Sequence, residues 1–273
     1  MPILNRHCER LTGVKQSHDN WKKIASSLSL LAMTLTLLTL TACQATQKTP
    51  TSDRLVGVKG MRLSAIRNEM LTQNHEFGQP VFLRIFKEDQ VLEAWVKEPK
   101  SEEYELFKTY DICKFSGQLG PKLAEGDGQA PEGFYEIGAD QLNPWSQYHL
   151  SFNLGFPNEY DRARLRTGSN LMVHGGCKSI GCYAITDHAM EEVYLMTEAS
   201  IQNGHNVPVH IFPFRMTDTA LRNRGDSLWY EEWQNLRIGY DAFERTKTPP
   251  TAEYDDHKYV FEIDGEVIKT ASR

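Results

Sequence analysis

The apolar positions of the chain change period several times, and each change marks an expected element. Over residues 55–71, Leu55, Val58, Met61, Leu63, Ile66, Met70 and Leu71 recur at roughly helical spacing, which predicts a helix. Alternation follows. Residues 81–86 and 91–96 alternate around the polar stretch 87–90, the pattern of a β-hairpin, and "YELFKTYDICKFSG" (104–117) offers a third strand. The Gly- and Pro-rich stretch 117–133 reads as a long loop. Sheet character resumes at 134–137, in "YHLSFNLGF" (148–156), and in "NLMVHGG" (170–176), which breaks at two glycines. "DHAMEEVYLMTEASIQNG" (187–204) is amphipathic and ends at a helix-stopping Asn-Gly, and "VPVHIFPF" (207–214) is a last core strand.

No segment repeats. Many short strands with few helices predict a mainly β fold with peripheral helices: one β-rich domain at 80–215, a helical lead-in at 55–79, and an accessory segment at 216–273. That segment carries a helix at 227–245, where Trp229, Tyr230, Trp233 and Leu236 stand at helical spacing, and a candidate strand at 259–263.

The N-terminus has the layout of an export signal. Lys22 and Lys23 precede an uncharged run from Ile24 to Ala42, rich in Leu and Thr. The run approaches the roughly 20 residues that cross a bilayer, so a spanning helix competes with cleavage. "LTAC" (40–43) resembles the lipobox of bacterial lipoproteins, which implies cleavage after residues 1–42 and acylation of Cys43. Two or more acyl chains hold a protein to a membrane far more firmly than one. Gln44 in place of Asp implies, by that family's sorting habit, the outer membrane, and polar residues 43–54 then form the lipidated Cys and its tether. Loss of residues 1–42 removes five basic and two acidic side chains and leaves 25 Lys and Arg against 34 Asp and Glu, a net charge of −9. Without clustered cations such a surface does not seek nucleic acid, and membrane attachment is by lipid alone.

Three cysteines stay in the mature chain, in an oxidising compartment: Cys113, Cys177 and Cys182. Three is odd, so one thiol stays free. The economical partition pairs Cys113 with Cys177 and reserves Cys182 for chemistry, whereas a Cys177 to Cys182 pair would remove the nucleophile. "VHGGCKSIGCYAITD" (173–187) sets His174 and Cys182 on a strand that passes through a Gly turn towards a helix starting near Asp187. There an imidazole could take the thiol proton and stand as a cation beside the thiolate. Gly175, Gly176 and Gly181 would let backbone approach a substrate, and amide N–H groups near Cys182 could stabilise an oxyanion. Rival readings are a structural His174 and a zinc site from His174, Cys177, Cys182 and His188, whose spacings lack the usual short ligand pairs.

The same residues carry a resemblance. "VHGG…SIGCYAITD" resembles the catalytic motif of the L,D-transpeptidase (YkuD-like) family, with His174, Gly175, Ser179, Gly181 and Cys182 on its positions, and "GDGQAPEGFYEI" (126–137) is similar to the family's upstream hairpin through Pro131, Gly133 and Tyr135. The resemblance spans about residues 80–214. It implies a β-sandwich-like catalytic domain, peptidoglycan stem peptides as substrate, no cofactor, Cys182 as nucleophile and His174 as base and then acid. The acyl group of meso-diaminopimelate would pass through a thioester to an amine or to water.

Two departures bear on that choice. Ile180 and Ala184 occupy positions where the usual family signature has His and Arg. Both changes resemble a narrower branch, the DpaA-type amidases, through "GCYA.TD" and "LNP.S.YHLSFN.GFPN.YDR". That branch cuts a Braun-type lipoprotein from the wall, which puts hydrolysis first and transpeptidation second; a non-catalytic wall-binding lipoprotein is a further alternative. Lys122, Arg162, Arg164 and Arg166 are the cations available for stem-peptide carboxylates. Asn158, Tyr160, His149 and Tyr183 are candidates to line the cleft, Ser179 to orient His174, and Asp187 to cap the following helix with Thr186 as rival.

Overall fold

Ser52 opens the first helix: its hydroxyl accepts the Leu55 N–H, and α1 runs Asp53–Thr72. This structure, a computed structural model, describes residues 47–263 and 265–268; the proposed signal at 1–42 and Cys43 lie outside the described residues. Leu55, Val58, Ile66 and Met70 form the buried stripe of α1, while Met61 and Leu71 are exposed, so the helical spacing holds with a narrower apolar face than expected. That stripe packs near α3 (Asp187–Gln202), and the pairs Lys59–Glu198 at 2.8 Å and Arg62–Glu191 at 3.1 Å join the two helices.

The hairpin forms as expected, with β1 (Val81–Phe86) antiparallel to β2 (Val91–Lys97). The third strand candidate divides. Its first part, β3 (Tyr104–Asp111), pairs with β2, and its second, β4 (Lys114–Phe115), leaves for another sheet. One sheet reads β3-β2-β1-β10-β5, with β5 at Gly133–Ile137 and β10 at Val207–Phe212. The other reads β4-β9-β8-β7-β6, with β6 at Leu142–Asn143, β7 at Ser151–Asn153, β8 at Met172–His174 and β9 at Tyr183–Ala184. Both sheets are open and contribute to one apolar core, as Leu83, Ile85 and Val209 meet Phe152, Val173 and Tyr183 there with Val193 and Met196 of α3. The fold is mainly β with peripheral helices. Among the described residues no helix is long and apolar enough to cross a membrane.

The C-terminal segment has more structure than its sequence suggests. It holds α4 (Asp218–Arg222), α5 (Tyr230–Thr246) and a three-stranded sheet β11-β12-β13 at Thr251–Asp255, Lys258–Ile263 and Glu266–Ile268. Trp233, Leu236 and Tyr240 of α5 enter a second core with Phe134, Phe212 and Phe261. Gly239 is required there, since a Cβ would stand 2.5 Å from Phe261 and 2.7 Å from Phe134. A short α2 (Glu159–Ala163), capped by Asn158, lies under this sheet and was not signalled by apolar period because it is barely one turn long.

The long loop before β5 is fixed by a buried charge. Lys87, a residue of the expected polar turn, is sealed from solvent and donates to Gln118 O at 3.2 Å, Gly120 O at 2.7 Å and Glu132 Oε1 at 3.0 Å. Glu132 also accepts from Trp233 Nε1 at 3.0 Å. Burial drives the Lys87 ammonium below its ordinary value, with Glu132 opposing it.

Candidate active site

Strands β8 and β9 run parallel with Val173 opposite Tyr183 and His174 opposite Ala184. Side chains alternate along a strand, so Val173 and Tyr183 face the core while His174 shares the other face with Ala184, and Cys182 is the residue just before β9. If strand spacing, about 4.8 Å across and 3.3 Å along, continued one residue beyond β9, the Cα atoms of His174 and Cys182 would stand roughly 8 Å apart, a diagonal that side chains can close. His174 Nδ1 donates to Gly175 O at 2.5 Å, which leaves Nε2 as the acceptor of the neutral ring. The Cys182 thiol is directed at Asn170 O, 3.7 Å away, rather than at that nitrogen.

Both groups prefer to be uncharged at rest. Burial, with His174 only 2 % exposed, lowers its affinity for a proton, and the Gly175 carbonyl offsets this in part. Burial likewise raises the Cys182 thiol, while the Met172 N–H and the Lys122 charge pull it down. Burial thus works against the expected standing imidazolium beside a thiolate and towards the uncharged form of both groups. A proton must move during attack.

A hydroxyl clamp sets the turn before Cys182. Ser179 Oγ donates to Cys182 O at 2.7 Å, and the Gly181 N–H donates to Ser179 Oγ at 3.2 Å and to Ser116 Oγ. Two expectations change with this. Ser179 holds the backbone of Cys182, not His174, and the Gly181 N–H is already engaged and cannot serve an oxyanion. Gly181 has φ of +119°, and a Cβ there would come within 3.3 Å of Leu171 Cδ2. Ser116, at the end of β4, had no motif to mark it, because only the antiparallel pairing of Phe115 with Tyr183 brings it across.

The disulfide Cys113–Cys177, Cα atoms 5.6 Å apart, ties the β3 to β4 connection to the same turn, and Cys182 is the free cysteine among the described residues. That bond removes Cys177 from the zinc reading, and among the described residues no group of three or more His, Cys, Asp and Glu could hold a metal. Thr186, not Asp187, caps α3, accepting the Ala189 N–H at 3.4 Å. Asp187 instead accepts the Gly176 N–H at 2.7 Å and so closes the turn. Packing alone requires a glycine at Gly175, as a Cβ would stand 2.5 Å from Asp187 Oδ1 and 2.9 Å from Tyr148 O.

Of the expected substrate contacts, Lys122 is the one whose charge reaches Cys182. It is 3 % exposed and held by Asp127 Oδ1 at 2.5 Å and Ala124 O at 2.9 Å. Several others turn out to be framework. Arg166 is buried between Asp161 at 3.0 Å and Glu232 at 2.5 Å. Tyr160 is buried and stacks on Tyr259 with centroids 4.0 Å apart, under the Arg164 guanidinium. Tyr183 is buried and its hydroxyl donates to Pro131 O at 2.7 Å. Asn158 donates to Phe134 O and Tyr259 Oη, both at 2.9 Å, and His149 pairs with Glu191 at 2.9 Å. Arg162 is exposed and donates to Pro157 O at 2.5 Å. Charged residues between predicted strands look alike in sequence; only the partners and placement that folding gives them separate Arg166 from Lys122, both of them buried. Two clefts of about 280 and 400 Å³ run along β5 and β11, and neither is lined by His174 or Cys182.

No known family model matches the chain. It is 45 % identical over 184 residues to the protein named "Putative L,D-transpeptidase YafK" in Escherichia coli K12 and in Escherichia coli O157:H7, an alignment covering 67 % of this chain and 74 % of each relative. Among solved structures, the helical cell shape determining protein Pgp2 of Campylobacter jejuni aligns at 18 % identity and a TM-score of 0.41, over 74 % of this chain and 85 % of that one. Bd1075 of Bdellovibrio bacteriovorus aligns at 17 % identity and a TM-score of 0.36, over 69 % and 84 %. The extent and identity of the Escherichia coli alignment, which takes in most of the chain, place this protein in the L,D-transpeptidase family of enzymes.

Proposed function

We propose that this protein is a cysteine acyltransferase of the bacterial cell wall that uses Cys182 and His174 on peptidoglycan stem peptides. The observation that carries the reading is a free thiol at the residue just before β9, the strand paired with the one that ends at His174, an imidazole whose Nδ1 proton is already committed to Gly175 O. The reaction requires the Cys182 side chain to rotate away from Asn170 O and towards Nε2. As sulfur attacks the carbonyl of meso-diaminopimelate, its proton passes to Nε2; the C–N bond then breaks and the departing amine takes that proton, leaving a thioester. Lys122 lies where its charge favours the developing thiolate and a stem-peptide carboxylate.

An amine acceptor then gives transpeptidation, the acceptor implied by the name of the Escherichia coli relative. Water as acceptor is the second reading, an amidase that releases a wall-bound Braun-type lipoprotein. Ile180 and Ala184, in place of the family's usual His and Arg, favour that branch. Export and anchoring through an acylated Cys43, at the outer membrane, complete the proposal, since the substrate lies outside the cytoplasm.

The test is mass spectrometry of peptidoglycan digests after incubation of bound-lipoprotein sacculi with the purified protein and with Cys182→Ala. New diaminopimelate-linked dimers mean transpeptidation. New free tetrapeptide ends with released protein mean hydrolysis. Digests identical for the two proteins overturn both readings and leave wall binding without catalysis.

A further inference from the structure

We propose that Tyr148 is a positioning residue for His174 and that the first turn of α1 sets it in place; this rests on the reading of His174 as the proton acceptor for Cys182. The Tyr148 ring stacks on the imidazole with centroids 4.6 Å apart and planes at 28°. It belongs to the connection between β6 and β7, residues 144–150, where it is 46 % exposed and no strand fixes it.

The helix does the fixing. Ser52 Oγ donates to Pro144 O at 2.9 Å, and Arg54 Nη1 donates to Ser146 O at 2.6 Å and to His149 O. Within the connection the Tyr148 N–H donates to Ser146 Oγ at 3.1 Å, and His149 takes a left-handed φ of +67°, turning its own ring to Glu191. The Tyr148 carbonyl lies against Gly175, whose oxygen accepts the hydrogen bond from His174 Nδ1. The ring stacked on the imidazole and the carbonyl beside Gly175 thus both belong to a connection held by α1, a segment that otherwise looks like a lead-in to the domain.

The chemical effect follows from the ring's charge distribution. The face of an aromatic ring is negative, so stacking favours imidazolium over imidazole, against the burial that favours the neutral form. Imidazolium is the form His174 takes when Cys182 attacks. The other charged or titratable groups of the surrounding elements are Cys182 just before β9, Lys122, whose charge reaches that thiol, Asp187 at the start of α3 through Gly176, the His149–Glu191 pair, and Arg54 on α1.

The test needs no peptidoglycan. The His174 imidazole C–H is titrated by NMR in the intact protein, and the alkylation rate of Cys182 by iodoacetamide is measured against pH, for wild type, Tyr148→Phe, Tyr148→Leu and Arg54→Gln. Tyr148→Leu is expected to lower the His174 midpoint and slow alkylation near neutral pH by about threefold to tenfold, the range of a partly desolvated cation–π contact. Tyr148→Phe keeps the ring and stays within about twofold of wild type. Arg54→Gln, an exposed substitution that frees the connection, moves both readouts in the direction of Tyr148→Leu. A wild-type midpoint in Tyr148→Leu, or equal shifts in the Phe and Leu variants, overturns the proposal. If alkylation is indifferent to His174→Gln, it is the Cys182–His174 reading that fails instead.

Discussion

The Lys87 ammonium lies 3.0 Å from the Glu132 carboxylate, and both side chains are completely shut off from solvent. One comes from the turn of the first hairpin and the other from the end of the long loop that carries Lys122 towards Cys182. Breaking a buried pair from one side leaves an uncompensated charge, at about 3–5 kcal/mol. Lys87→Met should lower the unfolding free energy by that amount, measured by chemical denaturation, and a double variant with Glu132→Gln should recover part of it. A loss in Lys87→Met below about 1 kcal/mol would show the pair to be solvated in solution.

Catalysis should depend on both Cys182 and His174, but unequally. Cys182→Ala is expected to remove all acyl transfer, and His174→Gln to slow it by about 10²–10⁴-fold, the usual reach of a general base. Because burial lowers the His174 proton affinity, the acid limb of the rate profile should fall below the ordinary histidine value of about 6.5. A limb at or above that value in steady-state profiles would contradict the burial argument.

Ser116→Ala should leave the Gly181 N–H with one acceptor in place of two. The turn before Cys182 then loosens, and turnover should drop while the melting temperature changes by only a few degrees, about the effect of one weakened hydrogen bond. A rate equal to wild type would mean that Ser179 suffices alone.

The Cys113–Cys177 bond closes a separation of 64 residues, for which the chain-entropy relation gives about 4 kcal/mol. Cys177→Ala should therefore unfold at clearly lower denaturant than wild type while Cys182 remains alkylatable in the folded protein. Equal stabilities of Cys177→Ala and oxidised wild type would argue against the bond.

Stability should also fall in mild acid through His210. It is buried among Phe82, Phe134 and Phe212, and burial together with the nearby Arg84 charge holds its folded pKa at about 3. A depressed base binds its proton in the unfolded chain first, so its contribution is complete above about pH 6.5 and declines towards pH 3 at about 1.4 kcal/mol per unit. His75 and His174, also lowered by burial, add to the same slope. Denaturation at several pH values should show His210→Leu with a slope about 1.4 kcal/mol per unit shallower, and an unchanged slope would count against burial of a neutral ring.

Much of the architecture was legible in advance because period survives folding. The first hairpin matched within a residue, and the helices expected at 55–71, 187–204 and 227–245 appear as α1, α3 and α5. What escaped were elements too short to show a period, such as α2, α4 and β6, and the division of 104–117 between two sheets. Nothing local in "YDICKFSG" distinguishes a strand that continues from one that changes partners.

The chain's own order of residues marked the candidates for chemistry: a His-Gly pair at His174 and a Gly-Cys at Cys182, eight residues on. It could not say which neighbours serve that chemistry, because Ser116, Tyr148 and Asn170 reach Cys182 and His174 only across strands and loops distant in sequence. Nor could it separate Lys122 from Arg166, both charged and both near the motif. Both are buried and ion-paired in the fold; what separates them is placement, which encloses Arg166 between two carboxylates and leaves Lys122 where its field reaches the thiol.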